Sequence, residues 1–503
     1  MENIRIPIQP HKASGGVKAG LRRAFSRDKM NVPLVIGTLL LYSLAFALLI
    51  AYSGLPGGVI ALVFVAGLPL AYGVIAWPKF GVTVLLLLAY FIMLFTKLNI
   101  SFPLGTIMDV LEALLIAGFF IKQKYHPEWK IYKNPVTVIT LVWLGYNLLQ
   151  IANPEAESRM AWLFTVRTVA IVMLLYFVFV YHLRDIKFIR FILKLWIALS
   201  FFAALYGLKQ ELFGFFSFEE RWLDNPELHA LYHIGNHWRI FSIFSDPVAF
   251  AYNMVISSIL CLALLTGPVA VWKKMILTGL AIFFLYVMLY SGTRGAYVLL
   301  PSCLPLFGIM KFNARMFIYG CIAAFIFVCL IFMPTSNSTL VRFQSAFRPS
   351  NDASFNVRAS NQKKIQPYIL SHPIGGGLGS TGMWGQRFSP DSYLANFPPD
   401  SGYVRVAVEQ GWIGLLIFCI FMFIVLKTGV DSYFKIRDPE LKSYCLAMTM
   451  IIFALNLGNF PQEALVQFPV NIYFYLAIAL IQVTLWLDQR KSGLPVNVPG
   501  QAK

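Results

Sequence analysis

The sequence predicts an all-α polytopic integral membrane protein with about 14 (12–14) transmembrane helices and a long, partly helical extracytoplasmic loop. Three observations carry that prediction. Hydrophobic residues make up 58% of the 503 and charged ones only 13%, with a mean hydropathy of +0.68. A soluble chain is roughly a quarter charged, so this one could not solvate its own surface. Apolar runs of about 20 residues, enough for roughly 30 Å of hydrocarbon, recur along the chain. Lysine and arginine gather in alternate connections, as the positive-inside rule requires. The same composition excludes intrinsic disorder, a disulfide-stapled secreted scaffold and a collagen-like fibre.

A basic cytoplasmic segment, 1–32, opens the chain with Arg5, Lys12, Lys18, Arg22, Arg23, Arg27 and Lys29. Arg22-Arg23 faintly matches a twin-arginine signal, but the apolar run after it is too long and no small-residue cleavage site follows, so the first span is expected to stay. Spans are expected near 33–53, 57–77, 80–96, 104–121, 135–152, 160–181, 186–208, 246–266, 272–291, 294–310 and 314–333. These form a bundle over 33–333, with an external connection at 209–245. The span at 104–121 is interrupted by Asp109 and Glu112. A large extracytoplasmic loop follows at 334–403, then spans near 404–426, 441–458 and 464–486 and a cytoplasmic tail, 487–503. With the N-terminus inside, 27 Lys+Arg and 8 Asp+Glu fall on the cytoplasmic side against 14 and 15 outside. The net charge of +18 is thus a topology signal, and nucleic acid is excluded as a partner. All six cysteines lie within spans, which leaves no external disulfide framework and no zinc-type cysteine pair.

Ionisable residues at membrane depth cost at least ~2.5–3.5 kcal/mol near the centre, so each marks a site or a paired scaffold. Asp109, Glu112, Arg167, Asp246, Arg294, Arg405, Glu409 and Glu463 all fall in or beside the external halves of their spans, whereas the inner halves offer essentially Lys194. Some of the eight are expected to pair with one another. The bias still implies a polar cavity opening outward. A transporter would place its site near the midplane on broken, repeated helices, and a channel would need polar lining throughout.

Several segments carry chemistry, each with a structural alternative. Ser291-Gly292-Thr293-Arg294-Gly295-Ala296 is a tight external turn whose small residues admit a ligand and whose Arg294 offers a fixed fork to phosphate oxygens, or serves as an interfacial anchor. Asp246-Pro247 reads as a helix cap. In the loop, 353–370 reads as a helix stopped by His372-Pro373, with Gly375–Gly379 a glycine-rich turn. Arg358, Lys363 and Lys364 on that helix either bind diphosphate or form a solvated basic face. His372 is a turn residue or a base. Arg239, in the first external connection, and Arg405, in the first turn of the twelfth span, are further candidates for an anionic substrate. Pro398–Tyr403 leads straight into that span, whose first turns hold Arg405 and Glu409, and an acid there could cap the helix or take a proton from an acceptor hydroxyl. His229, His233 and His237 have helical i, i+4, i+8 spacing, but Gly235-Asn236 would break the helix and no fixed acid completes a metal set, so no metal is expected.

Together these residues resemble the O-antigen ligase and polysaccharide polymerase superfamily of bacterial envelope glycosyltransferases. Its members carry a Ser-x-Ser-Arg-Gly-Ala-like turn, matched by Ser291–Ala296; an arginine ahead of a His-Pro-x-x-Gly-x-Gly-like stretch, matched by Arg358 and His372–Gly379; and an aromatic-x5-Glu-x-Gly-x-x-Gly span, matched by Tyr403, Glu409, Gly411 and Gly414. The resemblance covers roughly 240–426. It implies a polyprenyl-diphosphate-linked glycan as donor, a sugar or lipid acceptor, and neither nucleotide sugar nor cofactor. It implies Arg294 and Arg358 for the leaving diphosphate and Asp400, or else His372, as base. The ligases carry His where Asp400 stands, which leaves polymerisation, or ligation to another acceptor, open. Lipopolysaccharide and exopolysaccharide assembly at the bacterial cytoplasmic membrane are the implied settings. A flippase or exporter of the same lipid-linked glycan is the competing class.

Overall fold

A computed structural model describes residues 32–98, 104–234, 237–311, 331–336 and 353–492, together with isolated positions between 318 and 347. The basic segment before Val32, most of the expected span at 314–333, Gly235-Asn236 and the tail after Ser492 lie outside the described residues. The structure is all-α apart from one two-stranded hairpin. Two compact units divide it, Met1–Tyr72 and Gly73–Lys503. The first holds α1 (Val32–Ser53), which exposes Leu40, Leu41, Leu44 and Leu48, and most of α2 (Leu55–Ala76), which exposes Val65, Leu68 and Leu70, the surface a lipid-facing helix needs.

The second unit begins with α3 (Pro78–Thr96), α4 (Leu104–Tyr125) and α5 (Pro135–Leu149). Next, α6 (Arg159–Val169) and α7 (Leu175–His182) make one span across a 3₁₀ turn at Ile171–Leu174, and α8 (Ile186–Phe213) follows. The first polar connection holds α9 (Ser217–Leu223), α10 (Pro226–Tyr232) and the hairpin β1 (His233–Ile234) with β2 (His237–Trp238). Then come α11 (Pro247–Leu264), α12 (Val271–Met288) and α13 (Arg294–Met310). The loop contributes α14 (Ala353–Ser371) and α15 (Gly382–Phe388), and α16 (Gly402–Lys435), α17 (Pro439–Gly458) and α18 (Val470–Lys491) end the chain.

Each expected span outside 312–352 coincides with a helix or, for 160–181, with α6 and α7. Nine spans among the described residues are long and apolar enough to cross a membrane, fewer than the fourteen expected. The shortfall has local causes where it can be read: α4 carries Asp109, Glu112, Lys122 and Lys124, and α13 has only 17 residues with Pro301 and Pro305 inside. The chain is a multi-pass membrane protein by length and apolarity of its helices. The second unit is centred on α11, α17 and α18, whose apolar windows are 83%, 78% and 78% buried against 28% for α12. Polar caps followed by proline start several helices: Asn134 Oδ1 accepts from Thr137 N at 2.8 Å, and Asp438 Oδ1 accepts from Glu440 N at 2.9 Å.

One break in regular geometry positions the loop. At Gly411 the backbone of α16 takes φ +71°, ψ −178°, a conformation open essentially to glycine. The helix ladder is interrupted there, and the loop supplies the missing partners. Gly376 N donates to Val408 O at 3.0 Å, Gly377 N to Glu409 O at 2.9 Å, and Ile413 N to Pro373 O at 3.2 Å. Tyr146 Oη closes the set on Gln410 O at 2.7 Å. The glycine-rich turn is therefore spliced into the break in α16 by satisfied backbone groups rather than by apolar packing alone.

Candidate active site

The turn after α12 is built as its small residues predict. Gly292 sits at φ +59°, Thr293 N donates to Ser291 Oγ at 3.1 Å, and Thr293 Oγ1 donates to Pro247 O at 3.2 Å, which ties the turn to the start of α11. Arg239 reaches the same turn from the first connection, with Nε on Ser291 O at 3.0 Å and Nη2 on Thr293 Oγ1 at 3.2 Å. Arg294 follows as the half-buried first residue of α13. Asp246 is the cap the sequence predicts: Oδ1 accepts from Val248 N at 2.8 Å and Ala249 N at 2.9 Å.

Tyr252, one turn further along α11, joins these groups to the loop. Its hydroxyl donates to Gly458 O at 3.1 Å, it packs where Gly295 leaves no side chain, and it feels the charges of both Asp246 and Arg358. Arg358, on α14, is also the cation beside Asp400. Partial burial raises the Asp400 carboxyl above its ordinary pKa, and Arg358 pulls it part of the way back. Asp400 lies just before Ser401, whose hydroxyl caps α16, and Gly402 N donates to Asn459 O at 3.0 Å. Arg358, Asp400, Tyr252 and the Asp246 end of α11 thus share one electrostatic neighbourhood, and Arg239 and Arg294 stand on the turn bonded to that end of α11.

A second polar group lies behind this one. Arg405 Nη1 donates to Glu463 at 2.6 Å and Nε to Glu409 at 3.1 Å, so its guanidinium is committed to two carboxylates. Glu409, 1% exposed, also accepts from Gly379 N at 3.0 Å and Thr381 Oγ1 at 2.5 Å. These contacts make Glu409 an anchor for the glycine-rich turn. Asp109 and Arg167 likewise pair at 2.6 Å. A cavity of about 660 Å³ opens beside Arg405 and Glu463, walled by Trp143, Met173, Phe418 and Phe474; Arg294, Arg358 and Asp400 do not line it.

Other expected site residues sit elsewhere. Lys363 and Lys364 are exposed, and at ~100° per residue they project to different sides of α14 from Arg358. The His372 ring stacks on Tyr368 at 3.9 Å, and its Nδ1 lies 2.9 Å from Tyr368 O, which closes the last turn of α14. Among the described residues no contact links His372 to Arg358 or Asp400. A polar cavity of about 430 Å³ lies by Tyr368, lined also by Tyr393, Glu155, Glu157 and Ser380. Ser380 Oγ is buried there without a partner. The histidine row does not form a helix: α10 ends at Tyr232, His229 and His233 pack against Trp238, and His237 approaches Glu211 at 3.5 Å.

Sequence reasoning missed Lys97, which follows α3. It is 3% exposed, donates to Phe244 O at 2.6 Å and Ser242 O at 3.3 Å, and lies 3.9 Å over the Phe241 ring. Burial lowers its pKa to about 7 against the pull of Glu219 and Asp246. It pins the irregular turn that leads from Arg239 to Asp246. A lone lysine in a short connection between two apolar spans was the available signal.

Residues 279–419 match the family model described as O-antigen ligase. The matched stretch, just over a quarter of the chain, runs from α12 into α16 and holds the Arg294 turn, Arg358, the glycine-rich turn, Asp400 and Glu409. It identifies this segment with the O-antigen ligase superfamily and supports an O-antigen ligase-like role in glycan transfer at a membrane. No curated protein matches the chain.

Proposed function

We propose that this protein is a membrane glycosyltransferase that joins a polyprenyl-diphosphate-linked glycan to a sugar or lipid acceptor on the outer face of the bacterial cytoplasmic membrane. The observation that carries this reading is the shared neighbourhood of Arg358 and Asp400 beside the Arg294 turn. The acceptor hydroxyl attacks the anomeric carbon; its proton passes to Asp400; the bond from that carbon to the diphosphate oxygen breaks, and the polyprenyl diphosphate leaves with the bonding pair. Arg294 and Arg358 neutralise the charge that develops on it, and a bidentate guanidinium does so better than a point charge. Arg239, held on the same turn, adds positive potential. The pocket of Tyr368, Tyr393, Glu155, Glu157 and Ser380 offers aromatic faces and hydroxyl partners to a saccharide. Deletion of the gene tests the reading. Single repeat units left on the lipid carrier would mark a polymerase and full-length chains on the carrier a ligase; no accumulated lipid-linked glycan would overturn both.

The reading requires the loop outside and both termini inside. Reporter fusions at Ser354 and Lys435 are expected to report opposite compartments, with Ser354 external. The same compartment for both would remove the outward-facing site.

A further inference from the structure

We infer that the end of the bundle remote from the loop holds a binding site for a phosphate group, supplied by an anionic phospholipid. An open cavity of about 880 Å³ lies there, lined by Lys130 and Lys133 ahead of α5 and by Lys427 and Lys435 near the end of α16. Asp431 is the one carboxylate in its lining, and it is taken by Lys427 at 2.9 Å. Lys130, Lys133 and Lys435 make no ion pair among the described residues. Two other cations among the described residues, by contrast, are paired: Arg190 with Glu440 at 2.5 Å and Lys491 with Asp438 at 2.5 Å. Three unmatched ammonium groups facing one space repel each other, and an anion between them removes that repulsion.

The rest of the lining argues for a lipid as the source. Ile424, Leu485 and Trp486 form an apolar wall beside the lysines, and tryptophan favours the headgroup level of a bilayer. Basic pockets between helices on the cytoplasmic side hold anionic headgroups in this way, with the acyl chains against the apolar wall. The same α16 that brings Lys427 and Lys435 to this cavity carries Arg405 and Glu409 toward its other end, so a lipid here braces the helix on which the loop is docked.

The test uses the full chain in phosphatidylcholine nanodiscs titrated with phosphatidylglycerol, with retained lipids counted by native mass spectrometry. Phosphatidylglycerol should be retained over phosphatidylcholine, and Lys130→Gln, Lys133→Gln and Lys435→Gln should each weaken it by roughly fivefold. Arginine at the same positions should keep binding, and Lys491→Gln, outside the cavity, should leave it unchanged. Displacement by millimolar inorganic phosphate would keep the phosphate site and assign it to a soluble anion. Equal retention of both lipids, or an equal loss with Lys491→Gln, would overturn the proposal.

Discussion

Asp400→Asn is expected to lower transfer by roughly 10²–10⁴ while donor binding and thermal stability stay near those of the parent. Asparagine keeps the shape of the side chain and removes its ability to take a proton, which isolates the chemical step. The pH profile adds a second reading. A base works deprotonated, so activity falls as pH drops through its pKa. Burial raises the Asp400 pKa and Arg358 holds it down, so Arg358→Gln should move the acid limb to higher pH as well as weaken the donor. Arg358→Lys and Arg294→Lys should lose much of the activity although the charge is kept, because a point charge does not replace a bidentate fork. Asp400→His installs the residue that the resembled ligases carry and should retain measurable transfer. Full activity in Asp400→Asn refutes the assignment; if His372→Gln is then dead, the base is His372 and the reaction class stands.

Those residues illustrate which parts of the molecule can be read before folding. The end of α14 at Ser371 was legible because proline restricts its predecessor sterically, a purely local effect. The Asp246-Pro247 cap was legible for the same reason, since its partners are two and three residues away. The gathering of ionisable residues at one end of the spans was also visible, as was the expectation that some would pair; which ones was not, and they are Asp109 with Arg167, and Arg405 with Glu409 and Glu463. Lys97 escaped notice because the carbonyls it holds are 145 and 147 residues away. That the histidine row would not run on as one helix was legible from Gly235-Asn236, whose neighbours His233-Ile234 and His237-Trp238 pair as strands.

Glu409→Gln is expected to unseat the loop rather than merely slow the chemistry. The carboxylate is buried, and one of its oxygens serves both the Thr381 hydroxyl and Arg405 while the other takes the Gly379 amide. Glutamine replaces one acceptor by a donor and leaves Arg405 with Glu463 alone. Breaking a buried pair on one side costs about 3–5 kcal/mol where the remaining charge has no other partner; Arg405 keeps Glu463, so the cost here falls below that range. A drop in melting temperature and faster proteolysis between His372 and Ser401 should accompany the loss of transfer. A catalytic base at this position would behave differently, with activity gone and stability and loop protection intact. Gly411→Ala supplies an independent route to the same state: alanine is strained at φ +71° by about 1–3 kcal/mol, and its methyl group would meet the backbone of Pro373 and Gly375, which has no side chain to yield. If both variants release the loop, the aromatic-x5-Glu-x-Gly pattern is a docking device for the glycine-rich turn; if Glu409→Gln keeps the parent's stability and loses only turnover, Glu409 belongs to the chemistry.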